Sequence, residues 1–108
     1  MSEVNDESLG LASFDLRRRV AVERALAKVR HHLGDDWVAL SAEEISLLGW
    51  LLAEVWSSMD FAAWEQIALN KITLAKIDTL VELARQMVAG DLSVPVGATR
   101  AGDIIGKL

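Results

Sequence analysis

The sequence predicts an all-α protein, a compact four-helix bundle, and three observations support that fold class. Pro95 is the only proline, so the residue most hostile to helix interiors is absent from the first ninety-four positions. Hydrophobic residues make up 52% of the chain and charged residues 25%, a balance that favours a folded core over disorder. Apolar residues also recur at helical spacing along much of the chain.

The first predicted helix spans 13–33. Ser13 supplies a side-chain oxygen that can cap its start, and Gly34 follows its last residue, as is common beyond helix C-termini. Its inward stripe consists of Val22, Leu26, Val29 and Leu33. The preceding residues, 1–12, are acidic and predict a flexible N-terminal arm.

The second predicted helix spans about 41–58 and has the clearest start signal in the chain. Ser41 and Glu44 form the pattern of a capping box, in which each side chain accepts a hydrogen bond from the other residue's backbone amide. The apolar arc of this helix contains Ile45, Leu48, Leu51, Leu52, Val55, Trp56 and Met59. Trp50 falls on the opposite face, among polar residues, so it is either covered by another segment such as the tail or presented to a partner.

The region from 60 to 89 predicts two helices, because its apolar face changes direction. The stripe before Asn70 and the stripe after Thr73 differ by roughly 160° at about 100° per residue. A break between these two residues gives helices of about 60–70 and 72–89. The inward stripe of the last helix contains Leu74, Ile77, Val81, Ala84 and Val88. The predicted bundle domain then covers 13–90.

The last eighteen residues, 91–108, predict an extended tail. They contain three glycines and Pro95, and their large apolar residues have no helical period. These apolar residues are Val94, Val96, Ile104, Ile105 and Leu108. Such a tail either stays mobile or lies along a groove of this or another chain.

Charge is distributed unevenly along the chain. The whole carries a net charge of −5, whereas 13–33 has six basic and two acidic residues. One face of the first helix carries a basic stripe, consisting of Arg17, Arg24, Lys28 and His31. This stripe makes anion or nucleic-acid contact an alternative function, although the acidic whole does not favour it.

The sequence gives little indication of metal binding, catalysis, cofactor binding or membrane insertion. The chain has no cysteine, and its adjacent histidines, His31 and His32, point about 100° apart on a helix, so we expect no metal site. No nucleophile motif or cofactor fingerprint is present, and we expect neither an enzyme nor a bound cofactor. The uncharged apolar run 45–53 is too short to span a bilayer. With no export signal, the expected location is the cytoplasm.

The leading functional hypothesis is a non-catalytic helical module for protein–protein interaction or assembly, binding a protein partner or a second copy of itself. Its predicted surface is the Trp50 face, the tail, or both, because apolar surface exceeds what a four-helix core needs. The predicted partner-binding residues are Trp50, Leu47, Leu83, Ile104 and Ile105. A third alternative is binding of a small apolar ligand between tryptophan-bearing helices.

Overall fold

A computed structural model of the chain describes residues 6–56 and 71–106, with side chains described from Asp15 onward. Within these ranges the protein is all-helical, without strands. The α-helices are α1 (Asp6–Leu33), α2 (Ala42–Val55), α3 (Leu74–Val88) and α4 (Val94–Gly106), and a 3₁₀ helix (Gly34–Ala39) joins α1 to α2. The helix predicted over 60–70 lies outside the described residues.

The helix α1 begins seven residues earlier than predicted. The backbone is already helical at Asp6, so the prediction of a flexible arm over 1–12 is wrong for residues 6–12. Acidic residues suit the positive N-terminal end of a helix, and no proline interrupts this stretch, so its acidic composition is compatible with a helix. The predicted end is confirmed: α1 stops at Leu33, and Gly34 has a φ of 56°.

The capping box at the start of α2 is confirmed. The Glu44 backbone N–H donates to Ser41 Oγ at 3.1 Å, and the Ser41 backbone N–H donates to Glu44 Oε1 at 2.8 Å. Two amide donors that the helix itself leaves without partners are thereby satisfied. These bonds fix the point at which the chain turns from the 3₁₀ helix into α2.

The predicted break before the last bundle helix is also confirmed, and α3 has signals at both ends. Thr73 is the N-cap, and its hydroxyl accepts a hydrogen bond from the Lys76 amide at 3.2 Å. At the other end Gly90 adopts a φ of 87°, with hydrogen bonds from its amide to the Met87 carbonyl and from the Asp91 amide to the Gln86 carbonyl. This pair of bonds is a Schellman motif.

The prediction of an extended C-terminal tail is wrong, because residues 94–106 form α4. Pro95 lies in the first turn, where a missing amide hydrogen costs nothing. Ser93 precedes the helix, its hydroxyl accepts from the Val96 amide at 3.4 Å, and its carbonyl accepts from the Gly97 amide at 2.9 Å. The buried face consists of Gly97, Ala98, Ala101 and Ile105. Because three of these are small, counting large apolar residues does not detect their helical spacing.

The helices form an antiparallel bundle with α2 in the middle, packed against α1, α3 and α4. Arg85 near the end of α3 bonds to Glu43 at the start of α2, so these helices run in opposite directions. Lys76 at the start of α3 donates to the carbonyl of Ile105 at the end of α4, at 3.2 Å. The core combines the leucine face of α2 with one face of each neighbour.

The buried residues bear out much of the predicted inward stripes. Leu26, Ile45, Trp56 and Leu74 are only partly buried, and Met59 lies outside the described residues. Leu48, Leu51, Leu52 and Val55 of α2 are almost fully buried, as are Val29 of α1 and Ile77 and Val81 of α3. Val88, which the sequence places on the same stripe, is 59% exposed. It lies in the last turn of α3 and extends beyond the core.

Replacing Ser41 with Ala should lower the free energy of unfolding by about 1 kcal/mol, because the N-terminal amides of α2 lose their acceptor. Urea denaturation followed by circular dichroism measures this change. Ser46 is an exposed residue in the interior of the same helix and provides the control, since Ser46→Ala should cause no loss. Equal losses in the two variants would show that the cap does not stabilise α2.

Replacing Ile105 with Ala should lower the free energy of unfolding by about 2–5 kcal/mol, because this side chain is only 1% exposed. Val96 lies on the same helix and is 44% exposed, so Val96→Ala should change stability by less than about 0.5 kcal/mol. The comparison tests whether α4 packs on the bundle in solution. If both substitutions were neutral, α4 would not be part of the core.

Candidate docking surfaces

An open groove lies between the start of α2 and the end of α3. It has a volume of about 310 Å³ and is lined by Glu43, Leu47, Arg85, Val88 and Ala89. We call it the α2/α3 groove. Leu47 is half-buried and contacts the core, whereas Val88 extends towards solvent. The groove therefore has an apolar floor that the chain itself leaves partly uncovered.

A charged pair stands at the rim of this groove. Arg85 Nη2 lies 2.8 Å from Glu43 Oε1, and Arg85 Nη1 lies 3.8 Å from Glu82 Oε1. The hydrogen bond to Glu43 raises the pKa of Arg85, and the negative charges of Glu43, Glu82 and Glu44 raise it further. Two carboxylates, those of Glu43 and Glu82, thus contact one guanidinium at this rim.

Trp50 lies one turn beyond Leu47 on α2. The indole is half-buried and packs against the hydrophobic core. Part of the ring is thus covered within the chain, and part faces solvent. Contact of the exposed part with a partner stays a prediction.

The other predicted partner-binding residues lie near a second groove, between α3 and α4. This groove has a volume of about 330 Å³ and is lined by Thr79, Glu82, Leu83, Gln86, Arg100, Asp103 and Ile104. Leu83 is only 4% exposed and Ile105 only 1%, so the prediction that these two side chains contact a partner is wrong. Their apolar surface is used inside the bundle because α4 packs on α3. Ile104 is half-buried at the groove's edge.

The predicted basic stripe lies along α1. Arg17, Arg24 and His31 are exposed, and Lys28 is half-buried. Arg24 and Lys28 also interact with other groups of the chain. Nearby, Arg18 forms a long ion pair of 3.8 Å with Asp15. Contact between this stripe and nucleic acid stays a prediction.

The described parts of the chain contain neither a cluster of metal-binding side chains nor a membrane-spanning helix. No group of three or more histidine, cysteine, aspartate or glutamate side chains in these parts is arranged to hold a metal ion. His31 and His32 contact each other edge to face, with ring centroids 5.8 Å apart. No helix within the described ranges combines the length and the apolar character needed to cross a bilayer.

Comparison of the chain with models of protein families, with curated proteins and with solved structures found no match.

Sequence reasoning missed four apolar residues that the structure leaves exposed, among them Val38 of the 3₁₀ helix, which is 82% exposed. Val88 was assigned to the core stripe of its helix, and Leu16 and Val20 of α1 were not considered, although they are 58% and 44% exposed. A signal for the latter pair was available: the two residues are four apart, on one side of a helix, and neither belongs to the stripe of Val22, Leu26, Val29 and Leu33.

The pair of Glu43 and Arg85 should contribute little to stability, because both side chains are largely exposed and solvent screens their attraction. In a double-mutant cycle of Glu43→Gln and Arg85→Gln, measured by urea denaturation, we expect a small coupling at low salt. It should vanish near about 1 M NaCl, where the screening length is roughly 3 Å. Arg30→Gln removes one positive charge from an exposed arginine outside this pair, and it is the control for the loss of charge in Arg85→Gln. A large coupling insensitive to salt would mean that the pair holds α2 and α3 together.

Proposed function

We propose that this protein is a non-catalytic docking module that binds a partner protein through the α2/α3 groove and the adjoining exposed part of Trp50. One observation carries the proposal: Val88 is a large apolar side chain, 59% exposed, and it lines one groove with the half-buried Leu47. An exposed apolar side chain that adjoins further apolar surface in a groove is typical of interaction sites, whereas scattered single ones are common on any protein surface.

The groove has the size and lining of a pocket for a side-chain anchor. A volume of about 310 Å³ lies at the lower limit of the roughly 300–1,000 Å³ found for ligand pockets. Its open form favours a side chain inserted from a partner over a fully enclosed small molecule. Aromatic residues such as Trp50 often contribute strongly to such contacts, because they bury much area at small entropic cost.

The charge around the groove indicates the partner's chemistry. Glu43 and Glu82 both contact the single guanidinium of Arg85, so this cluster at the rim carries one negative charge in excess. An amphipathic helix with an apolar anchor and flanking lysine or arginine residues is complementary to it. Anchor and charge together would set its orientation in the groove.

The test compares Val88→Glu with Val38→Glu. Val38 is 82% exposed in the 3₁₀ helix, does not line the groove, and provides a matched control for adding one carboxylate to exposed apolar surface. A photo-crosslinking residue is first placed at position 88 or position 38, in cells that make the protein. We expect a discrete adduct with one protein at position 88 and none at position 38.

The captured protein is then purified and its affinity measured by calorimetry. Val88→Glu should weaken binding by about tenfold or more, since a carboxylate would be buried against the apolar anchor, whereas Val38→Glu should leave it unchanged. Circular dichroism should show the same helix content in both variants. Equal crosslinking at the two positions, or full binding by Val88→Glu, would overturn the proposal.

A further inference from the structure

The outward side of α1 carries two exposed apolar side chains. Leu16 and Val20 are 58% and 44% exposed and lie one turn apart, about 40° from each other around the helix. Ala25 and Val29, the most deeply buried residues of α1 among its described side chains, lie on the opposite side. The apolar pair therefore faces away from the protein's own core.

Arginines flank this apolar pair on both sides. Arg17 lies about 60° beyond Val20 around the helix, and Arg19 lies about 60° beyond Leu16 in the other direction. Both arginines are exposed. We call these four residues the α1 face.

The surroundings of the α1 face are basic overall. Between positions 16 and 24 the exposed charged side chains are Arg17, Arg19, Glu23 and Arg24. Three arginines against one glutamate leave a net charge of +2 on the outward side of this part of α1. Arg18 is turned away from it and pairs with Asp15 of the same chain.

The α1 face has the chemistry that suits the α2/α3 groove. It is a helical surface with an apolar anchor and flanking arginines, and the rim of the groove has one negative charge in excess. An arginine brought to this rim neutralises the excess charge, while the apolar side chains next to it cover Leu47 and Val88. Two surfaces that the chain itself leaves uncovered are thus complementary to each other.

One chain cannot place its own α1 face in its own groove. Asp15 and Arg18 share a groove with Ala53, near the end of α2, whereas Glu43 and Leu47 line the docking groove at the start of α2. The stretch from Glu43 to Ala53 is about 15 Å long at 1.5 Å per residue. Because the α1 face also points away from the core, its contact with a groove requires two copies.

We propose that the occupant of the α2/α3 groove is a second copy of this chain, which inserts Leu16 as the anchor with Val20 beside it. This inference rests on the proposed function, because it names the partner of the same groove. The contact is heterologous, since it joins different surfaces of the two copies and leaves one groove and one α1 face unused. Further copies add head to tail, into a closed ring or an open chain.

Sedimentation equilibrium of the full chain over a range of concentrations tests the self-association. Wild type should form assemblies larger than a monomer. Leu16→Glu brings a carboxylate to the acidic rim and Val88→Glu places one in the groove, so each should raise the dissociation constant by at least about tenfold. Val38→Glu adds a carboxylate to exposed apolar surface outside both contacts and should assemble like wild type.

An equal mixture of Leu16→Glu and Val88→Glu tests whether the contact is heterologous. The first variant keeps an intact groove and the second keeps an intact α1 face, so the mixture should form a 1:1 dimer and nothing larger. This recovery would also show that both variants are folded. A monomeric wild type, a monomeric mixture, or an assembly lost in Leu16→Glu but kept in Val88→Glu would overturn the proposal.

The photo-crosslinking experiment separates this inference from the proposed function. The protein crosslinked at position 88 should be the chain itself, and the adduct should be lost when every copy carries Leu16→Glu. A different protein crosslinked at position 88, together with a monomeric wild type, would overturn the second copy as the partner and leave the docking groove in place. The absence of any adduct at position 88 would overturn both.

Discussion

Burial of the leucine face of α2 is the constraint on which the rest of the structure depends. Leu48, Leu51 and Leu52 are at most 1% exposed, and the helix that carries them contacts α1, α3 and α4. No other described helix packs against all three of its neighbours so extensively. Once these leucines are buried, the positions of the surrounding helices follow from which of their faces is apolar.

Packing around this face also determines which surfaces remain for partners. Because α4 covers one side of α3, Leu83 and Ile105 become core residues. The α2/α3 groove is left partly uncovered because Val88 extends past the end of the core, while Leu47 lies at its edge. The proposed docking surface is thus a place where a helix continues farther than its neighbours, at the end of α3.

The α2/α3 groove is small, with an acidic rim around an apolar floor, and suits a basic helix with one anchor. Electrostatics contributes mainly direction and specificity there, since charges this exposed contribute little net stability. The apolar side chains supply the affinity.

Sequence by itself determined the local features of this protein. The Ser41 cap, the Thr73 cap, the end of α1 at Gly34 and the core faces of α1 and α2 depend on near neighbours in the chain, so their patterns were sufficient. Tertiary structure alone decided that 94–106 forms a helix and that Leu83 and Ile105 are buried in the core. The small residues of α4 form its buried face because α3 approaches closely, with Met87 packed over Gly97. No local sequence pattern contains this contact between two helices. The exposure of Val88 likewise depends on where the neighbouring helices end.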